Sequence, residues 1–345
     1  MKDRVQKTGK WLRQRRGLRV LAWCLVFFVG GQLALSTVFD YLLPEYRFPW
    51  FYRLIECAER HPSSQMILCL GSSRFGTGLF AGEMTLMLRQ ATGDQNAEVF
   101  NASVPGGDYI TSEKMLNELL ARGLRPKLVL LEFCPDVLNH KMGWLNMHTT
   151  RTLCWHDLND YGGDLANWQS LQRFALCRLF PLFQYRNGIR TRLHDRLLDD
   201  NTSQQLTDRH WTVELENAPL PAARQLSELA SHFEQYHIGG QPVACLRRLL
   251  QRCEAEQIQV ILIEPPVTEM HRKFYTAEIE RRYHEFYQHL CEEFGLTRFS
   301  YRTAVPDGEF FDHHHCNRTG ASRWSERVTE EVLIRGWARL TGIIR

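Results

Sequence analysis

Four short segments of the chain contain the side-chain types that carry out chemistry in enzymes. They combine serine, asparagine, aspartate and histidine with glycine, and they are residues 71–78 (GSSRFGTG), 101–108 (NASVPGGD), 134–139 (CPDVLN) and 311–317 (FDHHHCN). A serine hydroxyl is a poor nucleophile at neutral pH unless a base lies within hydrogen-bond distance and a third group orients that base. These segments contain serine, histidine and aspartate, so the chemistry that they allow is nucleophilic catalysis through serine.

The spacing of the first segment excludes two nucleotide-binding motifs and one hydrolase motif. A phosphate-binding loop requires lysine after its second glycine, and Thr77 stands there. The dinucleotide fingerprint GxGxxG is also missing. The GxSxG elbow of α/β-hydrolases does not occur either.

Taken in order, three of the segments resemble the motif blocks of the SGNH, or GDSL-like, hydrolase superfamily. In that superfamily a Gly-Asp-Ser block supplies the nucleophile, an Asn-x-Gly/Ser-x-x-Gly block supplies an oxyanion-hole glycine, and a late Asp-x-x-His block supplies acid and base. The matching blocks here are GSS, NASVPG and DHHH, with serine in place of the aspartate of the first block. The resemblance implies that Ser73 is the nucleophile, Gly106 the oxyanion glycine, and Asp312 and His315 the partners of Ser73.

One further block of the superfamily is different here. A Gly-x-Asn-Asp sequence in the family places an asparagine amide in the oxyanion hole, whereas this chain offers the carboxylate of Asp136 at the nearest position. A negative charge beside an oxyanion opposes catalysis, so Asp136 is not a direct replacement. Asn101, Asn139 and Arg74 are the candidates for a third donor, and the sequence does not choose among them.

Four continuous apolar runs bounded by turn residues predict buried parallel strands. They cover residues 66–70, 98–101, 128–133 and 259–264. Helical patterns lie between and after them, at residues 81–91, 112–122, 242–256, 277–294 and 319–340. This alternation predicts an α/β fold with a doubly wound parallel sheet, and the resemblance implies the three-layer, flavodoxin-like form of SGNH proteins. The carboxyl ends of its strands would bring the polar segments to one edge.

Composition divides the chain into regions of different character. We predict a cytoplasmic basic tail at 1–19, a transmembrane signal-anchor helix at 20–39, a juxtamembrane linker at 40–64 and an SGNH-like α/β domain at 65–345. Residues 139–240 interrupt the alternation and contain no convincing core strand. An ordinary helix-to-strand connection is far shorter, so these residues are predicted to form an insertion, a lid over the sheet or a small subdomain.

The positive charge is concentrated at the N-terminus. Residues 1–19 contain eight lysines and arginines and one acidic residue, although the net charge of the whole chain is only +3. The 20 uncharged residues that follow could span a bilayer of about 30 Å as a helix. The positive-inside rule then places the main domain outside the cytoplasm. The length of the apolar run favours an uncleaved anchor over a signal peptide, and bases packed into a tail do not indicate a nucleic-acid partner.

The histidine-rich segment could also indicate a zinc site, because histidine and cysteine are zinc ligands. Adjacent residues on a short loop cannot all point at one ion, so we predict no metal and no cofactor. The ten cysteines form no CxxC pair and do not have the spacing of a disulfide framework.

These observations and the resemblance together predict a membrane-tethered, extracytoplasmic serine esterase or O-acyltransferase. It would form an acyl-serine and act on a polysaccharide, a glycolipid or a lipid ester, with a multispanning membrane acyltransferase as an implied partner. The alternative is a catalytically inactive SGNH-fold protein that binds a glycan or assembles with such an acyltransferase. The altered asparagine block supports the alternative, and the spacing of Asp312 and His315 speaks against it.

Overall fold

The computed structural model describes residues 2–140, 153–161, 168–198 and 222–340. The helices are α1 (Lys2–Tyr41), α2 (Pro49–Arg60), α3 (Ser73–Gly78), α4 (Ala81–Thr92), α5 (Tyr109–Ala121), α6 (Leu158–Tyr161), α7 (Trp168–Leu179), α8 (Pro181–Gln184), α9 (Arg186–Leu198), α10 (Ala222–Phe233), α11 (Gly240–Ala255), α12 (Glu269–Arg272), α13 (Ala277–Phe294), α14 (Arg318–Val328) and α15 (Arg335–Leu340). The strands are β1 (Gln65–Leu70), β2 (Ala97–Asn101), β3 (Leu128–Glu132), β4 (Gln259–Glu264) and β5 (Thr297–Ser300).

The described residues form two compact units. The first contains the residues up to Pro49 together with Leu153–Arg196, and the second contains the remainder. The predicted strands and all of the motif segments belong to the second unit.

The first unit contains one helix that is long and apolar enough to cross a membrane. Within α1, the segment Gly17–Tyr41 has 25 residues and a mean hydropathy of 1.9, and the predicted span 20–39 lies inside it. The apolar side chains near the start of this segment are exposed, as expected for a surface that a bilayer would cover.

The carboxyl end of α1 is held by a buried ion-pair network in the same unit. Asp40 Oδ1 lies 2.7 Å from Arg178 Nη1 and 3.3 Å from Arg47 Nη1. Both arginines also donate hydrogen bonds to the carbonyl oxygen of Leu153. Removing one partner of a buried ion pair is strongly destabilising, so Asp40 fixes the end of α1 to the chain that follows it and to α7.

The second unit contains a five-stranded parallel sheet with the order β2-β1-β3-β4-β5. This is the flavodoxin-like doubly wound order. The chain moves from β1 to β2 in one direction and from β2 to β3 in the other, so right-handed crossovers place α4 and α5 on opposite faces. The predicted fold class is therefore confirmed.

Helices cover both faces of the sheet. One face packs against α3, α4, α14 and α15 through alternate strand residues, which include Ile67, Cys69, Val99, Leu128, Leu130 and Ile263. On the other side, α5 packs against α11, and α11 contacts β4. All five residues of β3 are buried, which explains why the strands read as continuous apolar runs.

Two of the predicted regions contain helices in the structure. The stretch 40–64, expected to be a linker, contains a 3-10 turn at Pro44–Tyr46 and the helix α2, which buries Phe51, Leu54 and Ile55. Of the expected insertion 139–240, the residues 141–152, 162–167 and 199–221 lie outside the described part. Its described residues form helices, with α6, α7, α8 and most of α9 in the first unit and α10 in the second.

The ten cysteines are all described as thiols, and eight of them are buried. Buried thiols pack as small side chains in a protein interior, and those of Cys134, Cys154 and Cys245 also accept hydrogen bonds from arginine side chains.

Candidate active site

The turn between β1 and α3 presents Ser73. Ser72 caps α3 by accepting a hydrogen bond from the backbone N–H of Arg74 at 3.3 Å, and Ser73 is the first residue of the helix. Gly71 is needed just before this turn, because a Cβ there would lie 2.5 Å from Glu132 Oε2. The close contact between Gly71 and Glu132 thus fixes the turn that follows β1, and with it the position of Ser73.

Ser73, His315 and Asp312 form one hydrogen-bonded chain. His315 Nε2 lies 2.8 Å from Ser73 Oγ, and His315 Nδ1 lies 2.6 Å from Asp312 Oδ2. With its proton on Nδ1 and donated to Asp312, the imidazole leaves Nε2 as an acceptor for the Ser73 hydroxyl. The structure therefore brings together the three residues that the motif blocks placed in these roles.

Asp312 is held as a carboxylate. Its Oδ1 accepts the backbone N–H groups of His314 and His315, each at 2.8 Å. Burial alone would raise the pKa of Asp312, but the hydrogen bond and charge of His315 and the two backbone donors outweigh burial and lower that pKa to about 2. Asp312 is thus ionised at neutral pH and orients the imidazole.

Gly106 lies in the loop after β2, which contacts the turn that carries Ser73. The backbone N–H of Val104 donates to the carbonyl of Gly71 at 3.0 Å, and a Cβ at Gly107 would lie 2.9 Å from the same oxygen. Gly106 has a φ of 59°, in the left-handed region that favours glycine. Within the described part of the chain, the backbone N–H groups of Ser73 and Gly106 donate no hydrogen bond. They are available to a substrate oxygen.

Neither predicted asparagine supplies a third donor. Asn101 Nδ2 donates to the carbonyls of Phe75 and Leu79 at 2.8 and 3.0 Å, so both of its amide hydrogens are used to fix α3 against β2. Asn139 Nδ2 donates to the carbonyl of His232 at 2.8 Å, and Asn139 Oδ1 accepts from the backbone of His237 at 3.2 Å. Asn139 therefore joins the two ends of the 139–240 region.

Arg74 is not a free donor either. It is buried, and its Nε lies 2.8 Å from Glu132 Oε1 while its Nη1 lies 2.9 Å from Asp136 Oδ2. Burial would lower the pKa of Arg74, but Asp136, Cys134 and Glu132 raise it well above its usual value. Burial likewise would raise the pKa of Asp136, yet the charge of Arg74 holds that pKa well below its ordinary range. Arg74 and Asp136 thus act as a permanent ion pair beneath the site.

Glu132 connects this ion pair to the nucleophile turn, and the sequence analysis did not single it out. Its Oε2 accepts the backbone N–H of Ser72 at 2.6 Å, and its Oε1 accepts the Ser72 hydroxyl at 3.1 Å. The available signal was a charged residue at the end of an otherwise apolar buried strand, LVLLE. A carboxylate is retained in such a place only when it is paired and hydrogen-bonded.

Comparison with known proteins gives a partial family match. Residues 34–186 match a family model described as a protein of unknown function, DUF1574. No curated protein matches the chain. The family match covers less than half of the chain and carries no activity with it.

Solved structures similar to this chain include several hydrolases. A lipase/acylhydrolase from Enterococcus faecalis is 13% identical, with 78% of this chain and 95% of that chain covered and a TM-score of 0.36. A structure described as a lipolytic protein of the G-D-S-L family from Desulfitobacterium hafniense is 11% identical, with coverage of 77% and 99% and a TM-score of 0.35. An acetylxylan esterase from Geobacillus stearothermophilus is 12% identical, with coverage of 81% and 95% and a TM-score of 0.37.

The G-D-S-L family named among these structures is the superfamily that the sequence blocks resemble. Because identity and TM-score are both low, these similarities carry no information about the activity of this chain. The evidence for activity is the arrangement of its own side chains.

His313 and His314, within the Asp312–His315 loop, lie close to a third histidine, His271, which was not identified from the sequence. His271 Nδ1 lies 3.1 Å from His313 Nδ1, and His314 Nδ1 lies 2.7 Å from the same atom. Burial lowers the pKa of His271 to about 3 and that of His313 to about 4. No sequence signal could have found this contact, because α12 and the 313–315 segment are brought together only by the fold.

Proposed function

We propose that this chain is a serine esterase or O-acyltransferase that forms an acyl-enzyme at Ser73. The observation that carries the proposal is the hydrogen-bonded chain from Ser73 through His315 to Asp312, with contacts of 2.8 and 2.6 Å. An oriented base within hydrogen-bond distance of a serine hydroxyl is what converts that hydroxyl into a nucleophile. A non-catalytic protein has no evident need for such an arrangement.

In the first half-reaction, Ser73 Oγ attacks the carbonyl carbon of an ester while His315 Nε2 takes the hydroxyl proton. A carbon–oxygen bond forms, and the carbonyl oxygen becomes an oxyanion. When the tetrahedral intermediate collapses, the bond to the alcohol oxygen breaks and His315 returns the proton to that oxygen. The products are an acyl-Ser73 ester and a free alcohol, with Asp312 stabilising the imidazolium that forms between the two proton transfers.

In the second half-reaction, a hydroxyl compound attacks the acyl-Ser73 carbonyl carbon and gives its proton to His315. The new carbon–oxygen bond forms, the bond to Ser73 Oγ breaks, and Ser73 recovers the proton. Water as the attacking compound makes the enzyme an esterase. A sugar hydroxyl makes it an O-acyltransferase.

Two backbone donors support the oxyanion in this proposal. The N–H groups of Ser73 and Gly106 are the available donors at the edge of the sheet, and one such donor is typically worth about 3 kcal/mol in the transition state. The third donor expected from the superfamily is absent at Asn101, Asn139 and Arg74, because each is engaged elsewhere. The proposed site therefore works with two donors from the described part of the chain.

The membrane part of the proposal rests on the N-terminal sequence and on α1. A basic tail followed by an apolar helix supports a single-pass protein with its N-terminus in the cytoplasm and its main domain outside. That position would give access to esters of polysaccharides, glycolipids or lipids at the outer membrane face, together with a multispanning acyltransferase as donor. An alkaline phosphatase fusion at the C-terminus tests the topology, since it is active only outside the cytoplasm.

The experiment that tests the chemistry is labelling of the detergent-solubilised full chain with a fluorophosphonate probe. We expect one label per chain, located on the peptide that contains Ser73 by mass spectrometry, and no label on heat-unfolded protein. Absence of label on folded protein would contradict the proposal and favour a glycan-binding or assembly role. If label is found, product analysis with an acetylated glycan as donor and a second glycan as acceptor separates hydrolysis from transfer.

A further inference from the structure

Three histidine side chains, two from the Asp312–His315 loop and one from α12, converge without a carboxylate in the group. One ring nitrogen from each of His271, His313 and His314 lies within 4.8 Å of the others. The Nδ1 atom of His313 is central, at 3.1 Å from His271 Nδ1 and 2.7 Å from His314 Nδ1. His313 and His314 are neighbours in the loop before α14, whereas His271 comes from α12, so tertiary structure brings the third ring to this pair.

The protons of neutral imidazoles do not satisfy this contact. Each neutral ring has one N–H and one lone pair, so three rings protonated on Nε2 direct three Nδ1 lone pairs at one another. If His313 instead holds its proton on Nδ1, a single hydrogen must serve two acceptors, and if His271 and His314 hold theirs there, a single lone pair of His313 must serve two donors. His271 Nε2 is buried and makes no hydrogen bond among the described residues, so the polar contacts of that ring run through Nδ1. A cation at the point of convergence accepts all three lone pairs.

The backbone holds these rings in place independently of any ion. Thr268 caps α12 by accepting from the backbone N–H of His271 at 3.3 Å. The hydroxyl of Thr268 donates to the carbonyl of His313 at 2.9 Å, and its backbone N–H donates to the same oxygen at 3.2 Å. The site is therefore a built feature in which one threonine connects both ligand-bearing segments.

We propose that His271, His313 and His314 bind one divalent transition-metal ion of the zinc class. Zinc binds histidine nitrogen at about 2.0–2.1 Å, and in a tetrahedral site two such nitrogens are about 3.4 Å apart. The 3.1 Å separation is close to this value, and the 2.7 Å contact reaches it with a small rotation of His314, which is only partly buried. Three imidazoles leave the fourth position to water or to another ligand, and imidazole ligands select zinc-class ions over magnesium and calcium.

The site shares no residue with the Ser73–His315–Asp312 chain and does not depend on the ester chemistry proposed above, although His314 also lies within 4.8 Å of ligand atoms of Asp312 and His315. Both ring nitrogens of His315 are already engaged, with Ser73 and with Asp312. His313 and His314 lie between Asp312 and His315 in the sequence, so an ion on them also ties the catalytic loop to α12. The prediction of no metal rested on adjacent residues alone, and His271 supplies the ligand that adjacency could not.

Cobalt titration tests this proposal on the full chain, purified in detergent through an affinity tag that contains no histidine. We expect one Co²⁺ per chain with the visible absorption of a tetrahedral site, displaced by Zn²⁺, and a higher melting temperature when the ion is present. Replacing a ligand by His271→Gln or His314→Gln should weaken cobalt binding by at least about 100-fold, since loss of supporting partners alone costs 10–100-fold. His289→Gln is the matched control, because its ring is exposed on α13.

The outcomes separate the assigned ligands from the neighbouring triad. Far-UV circular dichroism establishes that each variant is folded, and His314→Gln covers the case in which the buried His271→Gln fails to fold. Absence of cobalt binding to the wild-type chain would overturn the site. It would also be overturned if His271→Gln and His314→Gln, both folded, bound cobalt as the wild type does. Loss of the cobalt band in Asp312→Asn with retention in His271→Gln would place the ion on the triad and reject our assignment.

Discussion

His315 Nε2 lies 2.8 Å from Ser73 Oγ, although 242 residues separate the two side chains in the sequence. Ser73 follows β1 and His315 follows β5, and two strands lie between β1 and β5 in the sheet. The chain after β5 must therefore return across the carboxyl edge of the sheet. It is held there by α14, whose Ser325 accepts the backbone N–H of Phe80 at 2.8 Å and whose Trp324 packs edge-on against Phe75.

The adjacent serines at 72 and 73 are predicted to have different roles. Ser73→Ala should abolish fluorophosphonate labelling and lower kcat on an activated ester by at least about 10⁴-fold, because the nucleophile is lost. Ser72→Ala should retain the label, with a stability cost of about 2 kcal/mol from the lost hydrogen bond to Glu132 and the lost cap of α3. Labelling stoichiometry and ester kinetics on both variants check this. If Ser72→Ala lost the label and Ser73→Ala kept it, Ser72 would be the nucleophile instead of Ser73.

Much of the fold followed from local pattern, and the exceptions have physical reasons. Four strands were predicted because burial on both faces makes them continuously apolar. The fifth, β5, is short and only partly buried, so its TRFS sequence contains no apolar run. The helix α3 was also not predicted, because its GTG residues have low helix propensity. Its Ser72 cap and buried Phe75 stabilise it instead.

The site shows the same division between local and tertiary information. Ser73, Asp312 and His315 could be located because each belongs to a short motif. The roles of Asn101 and Asn139 could not, since they depend on which carbonyl groups the fold brings near. The partner of Asn139 is the carbonyl of His232, 93 residues away. His271 is a further case, since its partner His313 is 42 residues away.

Asp312 should make stability depend on pH in acid. Its folded pKa of about 2 lies below its ordinary 3.8, so the carboxylate stabilises the folded state above pH 4, and that stability is lost as the pH falls towards 2. The difference corresponds to about 2 kcal/mol. Asp312→Asn should therefore be less stable than wild type at pH 7, with the gap closing between pH 4 and pH 2. Melting temperatures across this range measure it, with the exposed Asp160→Asn as control. A gap that stays constant with pH would show that Asp312 is not held ionised by the fold.

Glu132 is predicted to position the nucleophile turn without touching substrate. Glu132→Gln leaves the buried Arg74 with Asp136 as its remaining ion-pair partner, and breaking a buried pair typically costs about 3–5 kcal/mol. It also weakens the contact that holds the backbone of Ser72. We expect both a lower free energy of unfolding in urea and slower labelling of Ser73.

The matched control for Glu132 is Glu118→Gln, which removes a more exposed ion pair with Arg122. Such pairs contribute about 0–1 kcal/mol, so stability and labelling should both stay near wild type. A Glu132→Gln variant that labels at the wild-type rate would show that the turn is positioned by the remaining contacts of Ser72 alone.

Alanine substitutions at Gly106 and at Gly93 separate the effect of backbone strain from the effect of losing an oxyanion donor. Both have positive φ, 59° and 74°, so an alanine at either position costs about 1–2 kcal/mol. Gly93 follows the last residue of α4, and no atom lies within 4 Å of its Cβ position. It has no part in the proposed chemistry. Gly106→Ala should also turn the backbone N–H away from the developing oxyanion, and loss of one donor costs about 10²–10³-fold in rate. We therefore expect a lower melting temperature in both variants, but slower fluorophosphonate inactivation only in Gly106→Ala. Equal inactivation rates in both would remove Gly106 from the oxyanion hole.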